Sequence, residues 1–266
     1  MRHILKTVAE FAKFKNENKK ITMITCYDYW SAKIIDESEI DAVLVGDSVA
    51  MVMHGFETTV NADVEMMAFH TAAVKRGLHN KFLVTDLPFL AHKKGIEFLV
   101  KSVDRIFKSG AQAIKIEGAG DNLKDIEFLV KSGIPVMGHL GLTPQSVHQL
   151  SGFKLQGKSD NKAEQILEDA KKLEQAGCFS IVLEMIPQKL AKEITDEIDI
   201  PTIGIGAGKF TSGQILVLQD LLGMSNTFSP KFLRKYLNGY DVLQSAINKY
   251  SNDVRDNIFP SNDESY

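Results

Sequence analysis

The sequence contains few cysteines, no strong net charge of either sign and no long apolar run. Its two cysteines, Cys26 and Cys178, lie far apart and form no Cys-x-x-Cys pair, which argues against a disulfide framework or a zinc knuckle. Lysine and arginine total 31 against 34 acidic residues, so the formal charge of −3 offers no basic surface to nucleic acid or anionic lipid. No apolar run approaches the ~18 residues of a membrane span, and residues 1–20 are polar and lysine-rich, unlike a signal peptide. These absences predict a cytoplasmic protein without nucleic-acid or membrane partners.

The composition is that of an ordinary folded protein. Of the 266 residues, 44% are hydrophobic and 24% are charged, close to the average for globular domains. A chain of this length can bury roughly three quarters of its unfolded surface, so its core needs no disulfide or metal. Because internal repeats and low-complexity linkers are absent, we expect one domain over residues 1–250 and a polar tail over residues 251–266.

Short runs rich in valine and isoleucine alternate along the chain with segments of helical period. Runs that are apolar on both faces are typical of parallel strands buried between two layers. The predicted strands are Ile21–Asp28, Asp41–Ser48, Lys81–Pro88, Ala113–Gly118, Ile134–Gly141, Phe179–Met185, Ile200–Ala207 and Gln214–Asp220. Eight strands in roughly 250 residues, with no glycine-rich turn after the first, favour a (β/α)₈ TIM barrel of the α/β class over an open doubly wound sheet.

Helices are predicted between the strands and at both ends of the barrel. Gly110, Gly133 and Gly177 stand where a left-handed residue commonly ends a helix. The predicted connecting helices are Ala62–Leu78, Gly95–Gly110, Asp121–Gly133, Lys162–Gly177 and Pro187–Ile198. The predicted terminal helical extensions are Thr7–Asn18 and Pro230–Tyr250.

Ionisable residues stand near the carboxyl ends of five consecutive predicted strands: Asp47, Asp86, Glu117, His139 and Glu184. In a barrel these ends form the face that carries the active site, and buried ionisable groups are costly unless they are paired or bind a metal. Asp47, Asp86 and Glu117 come from adjacent strands about 4.8 Å apart, so a shared Mg²⁺ ion is predicted to neutralise them. Any one aspartate alone would be explained equally well as a cap of the following loop or helix.

Lys115 and Glu184 are further candidates for a chemical role. Lys115 is two residues from Glu117 on one strand, so both side chains face the same way, and it suits either an anionic substrate or an internal ion pair. Glu184 lies between apolar residues, where desolvation would raise its basicity and make it a candidate general base. Pairing of Glu184 with Lys189 is an equally good interpretation. His139 is interpreted as a structural histidine and is left out of the catalytic set.

Several segments, in order along the chain, closely resemble the ketopantoate hydroxymethyltransferase family, also called 3-methyl-2-oxobutanoate hydroxymethyltransferases. The resemblance extends from about Ile21 to Tyr236, and Gly138–Ser146 is its most specific stretch. The other matching segments are Val45–Ser48, His70–Val74, Asp86–Phe89, Lys115–Gly118 and Ile203–Gly208. Thr59–Asp63 departs from the usual Thr-Leu-Pro-Val-Thr of the family, and Gln219 replaces a usual histidine.

The resemblance implies a TIM-barrel enzyme of pantothenate biosynthesis that assembles as a homo-oligomer, typically a decamer in the family. It implies transfer of a hydroxymethyl group from 5,10-methylenetetrahydrofolate to 3-methyl-2-oxobutanoate through a Mg²⁺-stabilised enolate, giving 2-dehydropantoate and tetrahydrofolate. The residues that it assigns are Asp47, Asp86 and Glu117 to Mg²⁺, Asp47, Ser48, Asp86 and Lys115 to the oxo acid, and Glu184 as the proton acceptor.

Two other functions share some of these features. Another Mg²⁺-dependent barrel enzyme that cleaves a C–C bond of a 2-oxo acid would use the metal and the enolate but no folate. A non-catalytic barrel that binds an anion or serves as an assembly scaffold would be expected to lack one of the four acidic residues, and all four are present. The sequence therefore favours the hydroxymethyltransferase.

Overall fold

Eight parallel strands form a closed barrel in chain order, in a computed structural model that describes residues 6–146, 154–227 and 229–266. The strands are β1 (Ile21–Thr25), β2 (Ala42–Val45), β3 (Phe82–Asp86), β4 (Ala113–Glu117), β5 (Val136–Gly141), β6 (Ser180–Glu184), β7 (Thr202–Ile205) and β8 (Gly213–Leu216). Each strand pairs with the next, and β8 pairs with β1 to close the barrel. The predicted TIM barrel is confirmed.

The helices of the described residues are α1 (Val8–Asn16), α2 (Tyr29–Glu37), α3 (Val49–Val52), α4 (Val64–Gly77), α5 (Ile96–Lys108), α6 (Leu123–Lys131), α7 (Asp160–Gln175), α8 (Gln188–Glu197), α9 (Leu218–Leu221) and α10 (Gly239–Arg255). The five predicted connecting helices correspond to α4 through α8, with ends close to those expected. Gly110, Gly133 and Gly177 have positive φ just after α5, α6 and α7, as a left-handed helix end requires.

Three parts of the prediction need correction. Helix α2 was not predicted. The Asp28 carboxylate caps its first turn by accepting a hydrogen bond from the Ser31 N–H. Its exposed apolar residues Tyr29 and Trp30 do not fit the pattern of an amphipathic helix. The last strand ends at Leu216, because the remainder of the apolar run 214–220 enters α9. The carboxyl-terminal helix begins at Gly239 instead of Pro230 and runs to Arg255, into the expected tail.

The chain divides into two compact units. The first, Met1–Leu216, contains the barrel, and the second, Val217–Tyr266, contains α9 and α10. Across the described ranges, no helix is long and apolar enough to cross a membrane. The cytoplasmic location stays a prediction.

The apolar half of the barrel interior lies toward the amino ends of the strands. Its buried cluster consists of Ile21, Met23, Ala42, Leu44, Phe82, Val84, Ala113, Met137, Val182, Ile203 and Ile215, with Phe11 and Phe14 from α1. Phe11 is fully buried, and its ring packs edge-on against Phe82 and Phe179 at centroid distances of 5.4 and 5.0 Å. Burying a phenylalanine side chain contributes about 1.5–3 kcal/mol to the free energy of unfolding. Helix α1 therefore stabilises the protein by covering the amino end of the barrel. The predicted amino-terminal helical extension therefore has a packing role.

Gly141, the last residue of β5, offers a test of how closely β5 and β6 approach each other. It has a φ of 95°, and an added Cβ would lie 2.1 Å from the carbonyl oxygen of Glu184. Gly133 has a φ of 86° but nothing within 4 Å of an added Cβ. We expect Gly133→Ala to lower the free energy of unfolding by about 1–2 kcal/mol through backbone strain alone. Gly141→Ala should cost about 1–3 kcal/mol more through overpacking, as measured by urea denaturation. Equal losses in the two variants would contradict the close approach.

Candidate active site

The polar residues at the carboxyl end of the barrel occupy inward-facing strand positions. On β3, Phe82 and Val84 belong to the apolar cluster, so Asp86, two residues further on, also points inward. The same spacing of two continues the inward faces of β4, β5 and β6 with Lys115, Glu117, His139 and Glu184. The candidates that the sequence places at strand ends therefore meet at one end of the barrel interior.

Asp86 links the ends of three strands. It lies directly opposite Lys115 in the β3–β4 register, and its Oδ1 is 2.9 Å from Lys115 Nζ. Its Oδ2 accepts a hydrogen bond of 2.9 Å from the backbone N–H of Asp47, which follows β2. Both side chains of the ion pair are at most 5% exposed, so water screens them little. Breaking such a pair is costly, because the remaining partner would be an unpaired buried charge.

His139 connects Lys115 to two carboxylates. Its Nδ1 lies 3.2 Å from Lys115 Nζ and 3.3 Å from Glu117 Oε1, and its Nε2 lies 3.2 Å from Glu184 Oε2. An ammonium group can only donate, so Nδ1 accepts from Lys115 and the ring proton is on Nε2, facing Glu184. Burial, together with the charge of Lys115, lowers the pKa of His139, which keeps the ring neutral at neutral pH. These contacts place His139 inside the site, next to the candidate base.

Burial and the repulsion between negative charges raise the pKa values of two carboxyl groups of this cluster. Burial raises the pKa of Asp47 well above its ordinary value, and the charges of Asp86 and Glu117 raise it further. Burial also raises the pKa of Glu117 to about 7, with Lys115 opposing this rise and Asp86 adding to it. For Lys115, burial alone would lower the pKa, but the three carboxylates outweigh it and the pKa is raised. Lys115 is therefore shared by three acidic groups, whose combined charge, when all three are ionised, exceeds that of one ammonium group.

Gln145 is a part of the site that sequence reasoning missed. Its Nε2 donates hydrogen bonds to Asp47 Oδ2 at 2.8 Å and to the carbonyl oxygen of Leu87 at 3.1 Å. Its backbone N–H donates to Glu117 Oε2 at 3.1 Å. Gln145 lies within the specific Gly138–Ser146 stretch, and this is the signal that could have found it.

Ser48, predicted to contact the substrate, is half-buried beside a buried tyrosine. The two hydroxyl oxygens, Ser48 Oγ and Tyr27 Oη, are 2.8 Å apart. The Tyr27 carbonyl oxygen accepts from His70 Nδ1 at 2.6 Å, and His70 Nε2 lies 2.8 Å from His54 Nε2. Burial raises the pKa of Tyr27, so its phenol stays neutral and can donate to Ser48. The sequence contains no motif that marks this role for Tyr27.

Glu184, the candidate general base, lies at the end of β6 and borders the cluster. Its side chain is 17% exposed, against 3% for His139, so it is the more open of the two. It faces His139, whereas the alternative interpretation had paired it with Lys189. A substrate that enters from the carboxyl end of the barrel can therefore approach this carboxylate.

The oxygen donors of the cluster suit a hard divalent cation. Glu117 Oε1 is buried and accepts no hydrogen bond, so it has unused capacity for a positive charge. Within the part of the chain that the structure describes, no group of three or more His, Cys, Asp or Glu side chains is arranged so that it could hold a metal ion. Mg²⁺ keeps several water ligands and usually binds one or two carboxylates directly, so its requirements are compatible with this arrangement. The site of three carboxylates stays a prediction.

Solved structures with a similar barrel show the general fold. A 2,3-dimethylmalate lyase of the PEP mutase/isocitrate lyase superfamily is similar with a TM-score of 0.63 and 14% identity, covering 99% of this chain and 93% of its own. A phosphonopyruvate hydrolase, solved in complex with oxalate and Mg²⁺, is similar with a TM-score of 0.62 and 10% identity, covering 97% and 93%. At such low identities the similarity establishes the fold alone.

Closer relatives define the family. A sequence profile described as ketopantoate hydroxymethyltransferase matches residues 5–262. The 3-methyl-2-oxobutanoate hydroxymethyltransferase of Bdellovibrio bacteriovorus is 53% identical, over 98% of this chain and 100% of the relative. That of Legionella pneumophila strain Lens is 55% identical, over 97% and 99%. The chain belongs to the ketopantoate hydroxymethyltransferase family and is a transferase, as the resemblance predicts.

The raised pKa of Glu117 predicts how stability depends on pH. The pKa is about 7 in the folded protein against 4.5 for the free side chain, so the folded state binds more protons between these values. The free energy of unfolding should therefore fall as the pH rises from about 4.5 to about 7. We expect Glu117→Gln to weaken this decline in EDTA-treated protein, measured by urea denaturation at about pH 5 and about pH 7.5. Glu97→Gln, on the exposed surface of α5, is the matched control. A decline of the same size in wild type and Glu117→Gln would contradict the assignment.

Proposed function

We propose that the enzyme transfers a hydroxymethyl group from 5,10-methylenetetrahydrofolate to 3-methyl-2-oxobutanoate, with water as the third reactant. The products are 2-dehydropantoate and tetrahydrofolate, and the reaction belongs to pantothenate biosynthesis. Membership of the family supports the class of reaction. The observation that carries the proposal is the buried cluster in which Lys115 is surrounded by carboxylates, next to the more open Glu184.

We infer that Asp47, Asp86 and Glu117 hold a Mg²⁺ ion as the resident cofactor. Burial and mutual repulsion oppose ionisation of Asp47 and Glu117, which a bound cation would relieve, and the buried Glu117 Oε1 lacks a hydrogen bond. Both observations support a bound cation. When bound there, Mg²⁺ supplies Lewis acidity that stabilises the negative charge developing on the keto oxygen of the substrate.

Lys115 and Ser48 contact the oxo acid in this proposal, together with Asp47 and Asp86. Lys115 keeps its proton because of the surrounding carboxylates, so it can donate to an anionic substrate. A carboxylate substrate can only accept, so the Ser48 hydroxyl donates to it and in turn accepts from Tyr27.

Glu184 removes the proton from C3 of the oxo acid, which makes C3 the nucleophile. The neutral His139 lies beside this base, with its Nε2 3.2 Å from Glu184 Oε2. C3 then forms a bond to the one-carbon unit, whose two bonds to tetrahydrofolate nitrogens are replaced by this C–C bond and by a hydroxyl from water. Proton transfer by a positioned carboxylate of this kind contributes typically 10²–10⁴-fold to a rate.

The lyase alternative has less support. The lyase among the similar structures shares only the fold at 14% identity, whereas the relatives at 53% and 55% identity are hydroxymethyltransferases. The reaction assay also separates the two, because cleavage of a 2-oxo acid needs no folate.

The test is to incubate the protein with MgCl₂, 3-methyl-2-oxobutanoate and 5,10-methylenetetrahydrofolate, and to measure 2-dehydropantoate by mass spectrometry. We expect product with wild type, and we expect a rate at least about 100-fold lower with Glu184→Gln, which keeps the size of the side chain but cannot take the proton. The rate at which the C3 proton of 3-methyl-2-oxobutanoate exchanges with D₂O, measured by NMR in the absence of folate, should fall to the same extent in this variant.

Glu193→Gln, an exposed substitution on α8, is the matched control and should leave both rates unchanged. Absence of product with wild type would overturn the proposed reaction. Product formation with undiminished C3 exchange in Glu184→Gln would place the base elsewhere.

We also propose that the protein assembles as a homo-oligomer, a decamer by resemblance to the family. The support comes from α10, which presents five exposed apolar residues at alternating spacings of three and four: Tyr240, Leu243, Ile247, Tyr250 and Val254. This spacing forms one stripe on a helix and is typical of helices that pack against a partner helix. A second copy of the chain is the partner that this proposal assigns.

The stripe on α10 predicts the effect of a charge on assembly. Ile247→Asp places a carboxylate in the middle of the stripe and should lower the molar mass measured by size-exclusion chromatography with light scattering. Ser245→Asp adds the same group to the opposite face of α10, where Ser245 is exposed, and should leave the molar mass unchanged. An unchanged mass for Ile247→Asp, or a monomeric wild type, would contradict the proposed interface.

A further inference from the structure

Gln145 makes polar contacts with the ends of three neighbouring strands. It follows β5 in the short helical turn Pro144–Ser146 and is 5% exposed. Its side chain reaches Asp47, beyond β2, and the carbonyl oxygen of Leu87, beyond β3, while its backbone N–H reaches Glu117 at the end of β4. Gln145 thus contacts two of the three carboxylates proposed to hold Mg²⁺.

The orientation of the Gln145 amide follows from its neighbours. Both groups within hydrogen-bond distance of Nε2, Asp47 Oδ2 at 2.8 Å and Leu87 O at 3.1 Å, can only accept. The nitrogen must therefore face them, and its two hydrogens are both used. A side chain that is buried and held at both hydrogens has little freedom to turn away, so the Asp47 carboxylate is held in one direction.

Each of the two carboxylates is held through one of its oxygens. Asp47 is held through Oδ2 and Glu117 through Oε2, both by N–H groups of Gln145. The second oxygen of Glu117, Oε1, is buried without a hydrogen bond. Since a carboxylate held at one oxygen presents the other in a defined direction, the contacts of Gln145 determine which oxygens remain for a cation.

We infer that Gln145 is a positioning residue for the cation site. By holding one oxygen of Asp47 and one of Glu117, it directs their other oxygens toward a common divalent ion. This inference rests on the proposed function, because it assumes that these carboxylates bind Mg²⁺. The third carboxylate, Asp86, is held separately, since its Oδ2 accepts from the backbone N–H of Asp47.

The test is the affinity of Gln145→Met for Mg²⁺, measured by titration calorimetry with MgCl₂ alone. Methionine keeps the length of the side chain but removes the Nε2 donor, so the packing is preserved while the Asp47 carboxylate is released. Loss of a group that orients a metal ligand typically costs about 10–100-fold in metal affinity, and we expect a loss in this range. The midpoint of thermal unfolding in EDTA is recorded for each variant, so that a general loss of structure is recognised.

Gln214→Met is the matched control. Gln214 also donates from its amide, to the carbonyl oxygen of Gly208 and to Thr211 Oγ1, but it contacts no carboxylate of the cluster. Its substitution should leave the Mg²⁺ affinity unchanged. If Gln145→Met does not fold, Gln145→Asn keeps an amide that is one methylene too short to reach Asp47, and the same loss of affinity is expected.

The possible results are distinguishable. Wild type that binds Mg²⁺, with a folded Gln145→Met or Gln145→Asn that binds it equally well, would overturn the positioning role and leave the proposed function intact. Wild type that shows no Mg²⁺ binding would overturn the proposed cofactor and the inference with it. A loss of affinity in the Gln145 variant and none in Gln214→Met supports the inference.

Discussion

The burial of several carboxylates around Lys115 is the constraint on which the rest of the site depends. Asp47, Asp86 and Glu117 each interact electrostatically with this ammonium group, and burial disfavours the charged forms of Asp47 and Glu117. Such an arrangement is stable only if hydrogen-bond donors and positive charges surround the acids. The backbone N–H of Asp47 and both donors of Gln145 supply part of this compensation. The raised pKa values of Asp47 and Glu117 indicate that this compensation is incomplete, and this is the physical reason for proposing a divalent cation that favours their ionised forms.

The barrel makes this crowding possible because it separates an apolar region from a polar one within a single interior. Side chains that alternate along each strand form successive layers, and the layers near the amino ends are filled by apolar residues and closed by Phe11 of α1. The layers near the carboxyl ends carry the acids, Lys115 and His139. Stability therefore comes from one end of the barrel and chemistry from the other, so a charged site need not disrupt the packed core.

Much of the fold could be predicted because it follows from local pattern. Apolar runs of strand length predicted all eight strands, and spacing by two predicted that Lys115 and Glu117 share a face. The contacts inside the site could not be predicted, because they depend on how neighbouring strands align. That Asp86 lies opposite Lys115, and Glu117 opposite His139, is a matter of register, which one sequence does not reveal.

The long-range contacts that loop residues make could not be predicted from the sequence either. Gln145 belongs to a segment with no periodic pattern, and Tyr27 follows β1 although the predicted strand Ile21–Asp28 included it. The partners of both residues are far away in sequence. The wrong assignment of residues 218–220 to the last strand has a different cause, since a short apolar run fits a strand and a buried helical turn equally well. The role of Ser48 came from resemblance to the family alone, whereas Asp47 and Glu184 were also candidates by their positions at strand ends; all three roles stay predictions.

The most direct measurement is a crystal structure of the protein soaked with 3-methyl-2-oxobutanoate and Mn²⁺ as an anomalous substitute for Mg²⁺. The account predicts an anomalous peak among the carboxylates of Asp47, Asp86 and Glu117, in contact with oxygens of the oxo acid. Carboxylates that point into bulk water, with bound oxo acid and no metal between them, would contradict it.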